Sequence, residues 1–190
     1  MCLDSSIPLA CNNDTGGIAQ IFLAQKTSAD AIPITPNPAF NFAVSPNAPN
    51  LVNVNPLLQW VKIDVSGREN LSQAATAPRN DNNSYPQNIS FQFAGFGKIL
   101  AEKLYDLNDC NCGYLAIVTK NTGESYLYGV NYYKTTGSYI NKGLYPAAAD
   151  GYNSGANSGE TATMSVALAG LVSNFPLFVN AGVVSTLTIV

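Results

Sequence analysis

The chain has 190 residues, of which 46% are hydrophobic and only 11% are charged, against about 25% charged residues in a typical soluble domain. This length accommodates one domain with a substantial core. The net charge is −3, the pI is near 4.7, and the nine Lys and Arg residues are scattered, which argues against a surface that grips nucleic-acid phosphates. Because protein interfaces are also poor in Lys and Glu, the composition favours assembly over the alternative of a stable, neutral secreted domain.

The residues of common catalytic sites are missing. The sequence contains no histidine, which removes Ser-His-Asp and Cys-His catalysis and the commonest metal ligand. It has no phosphate-binding glycine loop and no nucleophile elbow. A carboxylate pair for glycoside hydrolysis is conceivable at Asp106 with Asp109, but a solvated helix end explains both residues more simply. We therefore expect no enzyme activity, no catalytic or metal site and no cofactor.

Four cysteines form two pairs along the chain, Cys2 with Cys11 and Cys110 with Cys112. Neither spacing matches a usual zinc site. Three states stay open: reduced thiols, which fit best, a disulfide from the N-terminal segment to the 110–112 turn, and a metal site. No apolar stretch reaches the roughly 18 residues of a membrane helix, and the first 17 residues do not resemble a secretory signal. We expect neither.

The first half of the chain predicts strands separated by irregular chain. Residues 18–24 are an apolar run that predicts a buried strand. The segment 33–56 carries six prolines, which exclude a helix and favour extended or edge structure. The segment 59–65 alternates as a half-buried strand does. One face of that strand carries Val61, Ile63 and Val65, and the other carries Trp60, Lys62 and Asp64.

A long polar stretch then separates two strand patterns. Residues 65–88 are polar for about twenty positions and lead into the alternating strand 88–93. Since the strands on either side have matching character, we predict a long hairpin arm over 65–88 whose tip projects beyond the body. Asp81 and Glu69 are expected to form salt bridges there with Arg68 and Arg79.

The second half contains the clearest local signals. Apolar residues at helical spacing predict one helix over 96–108. Strands over 114–120 and 124–130 flank the turn Asn121-Thr122-Gly123, which predicts a hairpin. A further strand is expected over 161–169. The uncharged C-terminus predicts an edge strand over 183–190 that pairs with a sheet of its own subunit or of a neighbour.

Together these elements predict a mainly β, single-domain sandwich or barrel over 1–190, with seven or eight strands, one α-helix and a long projecting hairpin. Aromatic platforms bind sugars, so the chain also fits a β-sandwich binding module for a receptor or glycan. The tyrosines that would form the platform are Tyr126, Tyr128, Tyr132, Tyr133 and Tyr139.

The order of elements resembles the tail tube proteins of long-tailed bacteriophages and of related contractile injection systems. An N-terminal Cys and "GGIAQIFLA" come first, and a strand then leads into the polar hairpin 65–93. The single helix and the hairpin "AIVTKNTGESYLYGV" follow. The end, with "TTGSY", "AAADGYNSG" and "ATMSVALAGLVSNFPLFV", is similar to the family's final strand and Pro-aromatic close. The resemblance spans about residues 11 to 180.

The resemblance implies a structural virion protein that forms hexameric, stacked rings around a channel through which DNA passes during ejection. The arm would reach the neighbouring ring, and other tail proteins (sheath, terminator or baseplate) would be partners. The protein would reside in the virion tail after assembly in the host cytoplasm, without a membrane. The expected subunit-interface residues are Arg68, Glu69, Arg79, Asp81, Tyr85, Leu187 and Ile189.

Overall fold

The computed structural model describes residues 17–31, 35–36, 52–53, 58–64, 73–80, 84–94, 107, 112–133, 138–147, 152–153, 163–179 and 181–190. Within these ranges the strands are β1 Ile18–Gln25, β2 Thr35–Pro36, β3 Val52–Asn53, β4 Gln59–Asp64, β5 Gln73–Thr76, β6 Tyr85–Ala94, β7 Tyr114–Lys120, β8 Ser125–Tyr128, β9 Val130–Tyr133, β10 Ser138–Asn141, β11 Tyr145–Pro146, β12 Tyr152–Asn153, β13 Thr163–Val172, β14 Leu177–Val179 and β15 Thr188–Ile189. The helices are α1 Lys26–Ala31 and α2 Ala181–Val184. The predicted mainly β fold is confirmed.

The strands form two larger sheets and one hairpin. The first sheet has the order β15-β4-β1-β7-β8-β14-β3-β2. The second has the order β11-β13-β6-β5, with β12 also pairing with β13. Strands β9 and β10 pair separately as a two-stranded hairpin. Among the described strands neither larger sheet closes on itself, so the fold is a sandwich rather than a barrel.

The centre of the first sheet is buried on both faces. In β1, Ile21 and Leu23 face one core, whereas Phe22 and Ala24 face another. Strand β7 lies beside β1 and divides its side chains in the same way. A strand that is buried on both faces carries apolar side chains at successive positions, without the polar–apolar alternation of a half-exposed strand. This explains the continuous apolar run at 18–24.

The two cores have different covers. The first core lies between the two larger sheets, and Ile89 and Phe91 of β6 and Leu168 of β13 fill it from the second sheet. The second core lies on the opposite face of the first sheet. It is covered by α1, by the β9–β10 hairpin and by the C-terminal residues, which contribute Ala29, Val130, Tyr132, Tyr139, Val183, Val184 and Leu187.

Strand β4 differs from its sequence pattern. The two predicted faces are present, but Trp60 is fully buried in the second core, whereas Val61 is 50% exposed. Ile63 packs against the first core. The Trp60 face of β4 is therefore covered by the C-terminal residues. On the other face Ile63 packs against the first core, whereas Val61 stays half exposed.

The predicted pairing of the strand at 59–65 with the strand at 88–93 is wrong, although β5 pairs antiparallel with β6 as a shorter hairpin within the predicted arm. Strand β4 pairs with β1 and β15 of the first sheet, whereas β6 pairs with β13 and β5 of the second. Residues 73–76 form β5, an edge strand of the second sheet, and Ala75 and Ala77 pack against the first core. The segment thus carries the chain from one sheet to the other, and its described part is ordered by its own subunit. Residues 65–72 and 81–83 lie outside the described residues.

The two described helices, α1 and α2, were not predicted from the sequence. The helix predicted over 96–108 lies outside the described residues except for Leu107, which is helical and packs against the first core. The phenol of Tyr114 donates to the Leu107 carbonyl at 3.1 Å. Helix α1 was not predicted, because its six residues bury only Ala29 and so show no helical periodicity. An ion pair between Lys26 and Asp30 joins its two ends.

The C-terminal edge strand is shorter than predicted. Residues 181–184 form α2, and only Thr188 and Ile189 pair, in parallel, with Gln59 and Trp60 of β4 in the same subunit. The hairpin around Gly123, where φ is +88°, is confirmed as β7 and β8. The strand predicted over 161–169 corresponds to β13, which runs from Thr163 to Val172.

The double-sided core gives a first prediction. Truncating Ile117, fully buried in β7, to Ala should lower the free energy of unfolding by about 3 kcal/mol, because a cavity opens between well-packed layers. The matched control is Ile140→Ala in β10, since Ile140 is 45% exposed and should cost less than about 1 kcal/mol. Urea unfolding followed by circular dichroism measures both. Equal losses would contradict the two-face burial of the first sheet.

Candidate assembly surface

A buried amide connects the second sheet to the start of β9. Gln87 of β6 is fully buried, and its Oε1 accepts the Gly129 N–H at 2.7 Å. Its Nε2 donates to the Asn174 carbonyl at 3.3 Å. Gly129 has φ +86° and its carbonyl accepts from the N–H groups of Lys142 and Gly143, both at 2.8 Å. An added Cβ there would lie 3.1 Å from the Tyr114 carbonyl, so the junction requires glycine.

A second set of polar contacts fixes the turn between β13 and β14. Asn131, which is 2% exposed, accepts the Ser173 N–H at 2.7 Å through its Oδ1. Asn174 accepts the Tyr132 N–H at 2.7 Å and donates to the Phe175 carbonyl at 2.8 Å. Every one of these partners is a backbone group. The side-chain amides therefore supply hydrogen bonds to backbone groups that a neighbouring strand would satisfy in a sheet.

The turn fixed in this way exposes a large aromatic ring. Phe175 is 58% exposed, and its ring meets the edge of Tyr85 with centroids 6.0 Å apart. Leu171, at the end of β13, is 61% exposed. We call Tyr85 and Phe175 the Phe175 patch, whereas Leu171 pairs with Pro86 on the outer face of the second sheet. Because the backbone beneath the patch is already ordered, a partner could bind it at a low cost in conformational entropy.

The outer face of the second sheet carries no charge among its described side chains. Strand pairing places residues of β5, β6, β11 and β13 on this face in register. The contact from Gln92 Nε2 to Ser165 Oγ at 3.1 Å runs across two of these strands. We call this surface the uncharged face, and its members are Ala74, Thr76, Pro86, Asn88, Ser90, Gln92, Tyr145, Ser165, Ala167, Ala169 and Leu171.

The C-terminal residues form an apolar edge on the first sheet. Leu187 packs against the second core, whereas Ile189 and Val190 are 46% and 64% exposed. The Val190 N–H donates to the Trp60 carbonyl at 3.0 Å. The indole Nε1 of Trp60 is buried without an acceptor among the described residues, which costs about 1–3 kcal/mol for a buried donor.

The sequence-predicted interface residues are brought together only in part. Arg68, Glu69 and Asp81 lie outside the described residues, so the salt bridges predicted with them stay predictions. Arg79 is exposed, in the loop that follows β5. The base of that loop is closed locally, because Ser84 Oγ and N–H both donate to Asn80 Oδ1, at 2.8 and 2.9 Å.

Tyr85 belongs to the Phe175 patch, whereas Leu187 and Ile189 belong to the separate C-terminal edge. Sequence reasoning missed Leu171 and Phe175. Their signal was weak: an isolated Leu at a strand end and a Phe after Ser-Asn, both of which are common in buried positions.

The tyrosines do not form one platform. Tyr128 belongs to the first core and Tyr126 packs against it, whereas Tyr132 and Tyr139 pack against the second core with ring centroids 4.9 Å apart. Tyr126 contacts Phe178 with centroids 4.5 Å apart, and its phenol donates to Glu124 at 3.0 Å. Burial, with a smaller effect of Tyr126, raises the pKa of Tyr128 to about 12. These environments indicate packing roles for most of the cluster.

No group of three or more potential metal ligands occurs within the described ranges. In that same part of the chain no helix is long and apolar enough to cross a membrane. No family model, curated protein or solved structure matches this chain.

The Gln87 junction gives a second prediction. Gln87→Leu keeps the volume but leaves the Gly129 N–H and the Asn174 carbonyl without their partners, so unfolding should become easier by about 2 kcal/mol. Gln92→Leu is the control, since Gln92 points to the solvent-facing side of the same strand, and its loss should stay below about 0.5 kcal/mol. The urea midpoints of the two variants measure these losses. Similar midpoints for Gln87→Leu and Gln92→Leu would contradict a structural role for the Gln87 amide.

Tyr128 gives a prediction on pH. Its pKa is 10.0 when unfolded and about 12 when folded, so above pH 10 the folded chain binds more protons than the unfolded chain. The resulting stabilisation is complete below pH 10 and is lost as pH rises through about 12, at up to about 1.4 kcal/mol per pH unit. Tyr128→Phe should therefore lose less stability between about pH 9 and about pH 11 than the wild type does. Urea unfolding of both proteins at several pH values between about 9 and about 11 measures this. An equal fall in the free energy of unfolding with pH for the two proteins would contradict the prediction.

Proposed function

We propose that this chain is a structural subunit that assembles with copies of itself into stacked rings around a channel, as in the tail tubes of long-tailed bacteriophages. The observation that carries the proposal is the uncharged face of the second sheet. The rest of the order of sequence elements, outside the predicted arm, resembles that of tail tube proteins and supports it independently. Its partners would be further copies of the chain, other tail proteins and DNA in transit, and it would belong to the virion tail.

The uncharged face suits the wall of a DNA channel. Lysine or arginine on such a wall would hold the phosphates, because each contact releases counterions and gains affinity. Carboxylates would repel the DNA instead. Side chains such as Ala74, Ser90 and Ala167 do neither, and strands spaced about 4.8 Å apart present them as a continuous, shallow surface.

The edges of the second sheet are compatible with ring formation. Strand β5 lies at one edge, and its sequence Gln-Ala-Ala-Thr has none of the lysines or prolines with which monomeric proteins protect exposed edges. Among the described residues, the opposite edge of β13 holds the two-residue strands β11 and β12. Neighbouring copies can therefore extend the sheet around the ring by main-chain pairing.

The alternative of a receptor- or glycan-binding module has less support. It relied on a shared tyrosine platform, and the tyrosines are divided between the two cores. No other described feature of the chain favours it.

Imaging tests the proposal directly. Negative-stain electron microscopy of the purified protein should show rings or tubes, and a monomer at high concentration would overturn the proposal. Ser90→Lys should leave the tubes intact, because Ser90 would face the channel and not a subunit contact. Short duplex DNA should then co-sediment with Ser90→Lys tubes, but not with wild-type tubes or with Ser90→Glu tubes. If both Ser90 variants fail to assemble, the uncharged face is a subunit contact instead.

A further inference from the structure

Residues 181–190 cover the indole of Trp60. This tryptophan of β4 is fully buried in the second core. Val183, Val184 and Leu187 of the covering segment pack against the same core. The segment also extends the first sheet by one strand, because β15 pairs with β4. We call residues 181–190 the strap, and it covers both the buried side chain and one backbone edge of β4.

The strap is held to the rest of the domain by few buried groups. None of its described side chains is fully buried: Val183, Val184 and Leu187 are half-buried, and the others are exposed. The strap contains no charged residue, so no side-chain ion pair can secure it. A segment that buries little apolar surface has a low free energy of local opening. The strap is therefore less firmly held than the central strands of the first sheet.

The strap carries hydrogen bonds of its own. The Thr186 N–H donates to the Val183 carbonyl at 3.0 Å, and the Leu187 N–H donates to the Val184 carbonyl at 3.4 Å. The hydroxyls of Ser185 and Thr186 each donate to the carbonyl three residues earlier, at 2.8 Å. Because both partners of each bond belong to the strap, these bonds can persist when the strap separates from β4. Opening costs mainly the packing against the second core and the short pairing of β15.

The covered indole favours the open state. The Nε1–H of Trp60 is buried without an acceptor among the described residues. In water the same group would regain a hydrogen bond, which shifts the equilibrium toward the open state by about fivefold or more. The strap thus closes over a polar group that loses its hydrogen bond on closure.

We propose that the strap opens and closes over Trp60 as a unit while the rest of the domain stays folded. In the closed state it buries the indole and covers the outer edge of β4. In the open state β4 becomes the edge strand and presents its backbone groups and the indole N–H to solvent. The strap is a conformational switch that controls access to this edge of the first sheet. The inference goes beyond the proposed function and does not depend on it, because these contacts lie within one subunit.

Hydrogen exchange of the indole proton measures the opening. Trp60 is the chain's one tryptophan, so after exchange is quenched in dimethyl sulfoxide its Nε1–H gives a single NMR signal. The reference is the backbone N–H of Ile21, which is fully buried in a strand paired on both sides. After correction for intrinsic rates, the indole proton should exchange at least about 100-fold faster than the Ile21 amide, because it needs only the strap to open. Equal protection of the two protons would overturn the proposal.

Two aspartate substitutions within the strap separate its opening from general destabilisation. Leu187→Asp places a charge against the second core and should speed indole exchange at least about tenfold, with exchange of the Ile21 amide unchanged. Val190→Asp adds the same charge at a position that is 64% exposed, and as the matched control it should change neither rate by more than about twofold. If Leu187→Asp speeds exchange of both protons equally or prevents folding, the strap is part of the cooperative core and the proposal is wrong.

Discussion

One buried amide holds the parts of this fold together. Gln87 projects from the second sheet and binds the backbone of Gly129, where the chain leaves the first sheet, and of Asn174, where it re-enters that sheet. Without these bonds the buried backbone groups at the junction would lack partners, at a cost of about 2 kcal/mol against a domain's net stability of about 5–15 kcal/mol. The glycine is part of the same constraint, since its positive φ turns β8 toward the β9–β10 hairpin.

The burial of the first sheet on both faces explains which surfaces of the molecule are polar and which are apolar. The second sheet covers one face, and the other is covered by short elements: α1, the β9–β10 hairpin and the C-terminal residues. Because these covers are small, the sheet's edges are only partly enclosed, and Val61, Ile189 and Val190 stay exposed. Among the described residues the second sheet faces a core on one side, and its outer side is polar without being charged.

The functional proposals depend on that division of surfaces. A wall of small uncharged side chains would suit a passage for DNA, and the edge strand β5 of the second sheet would suit repeated pairing between copies. Both roles are geometric and need no catalytic group, which agrees with a sequence that has no histidine. The proposed assembly would also account for the low proportion of charged residues, since a subunit surrounded by copies would expose little of its own surface to water.

The sequence by itself determined the β-rich class, the strand at 18–24, the hairpin around Gly123 and the existence of strands near 88–93 and 161–169, because these follow from local periodicity and turn chemistry. Only the tertiary structure decided how strands distant in sequence pair: it placed β4 and β6 in different sheets, made part of the expected arm into β5, and buried Trp60. It also joined Tyr85 to Phe175 across 90 residues of chain. The physical reason is that periodicity records which side of a strand is apolar, whereas the neighbour that covers it comes from distant parts of the chain.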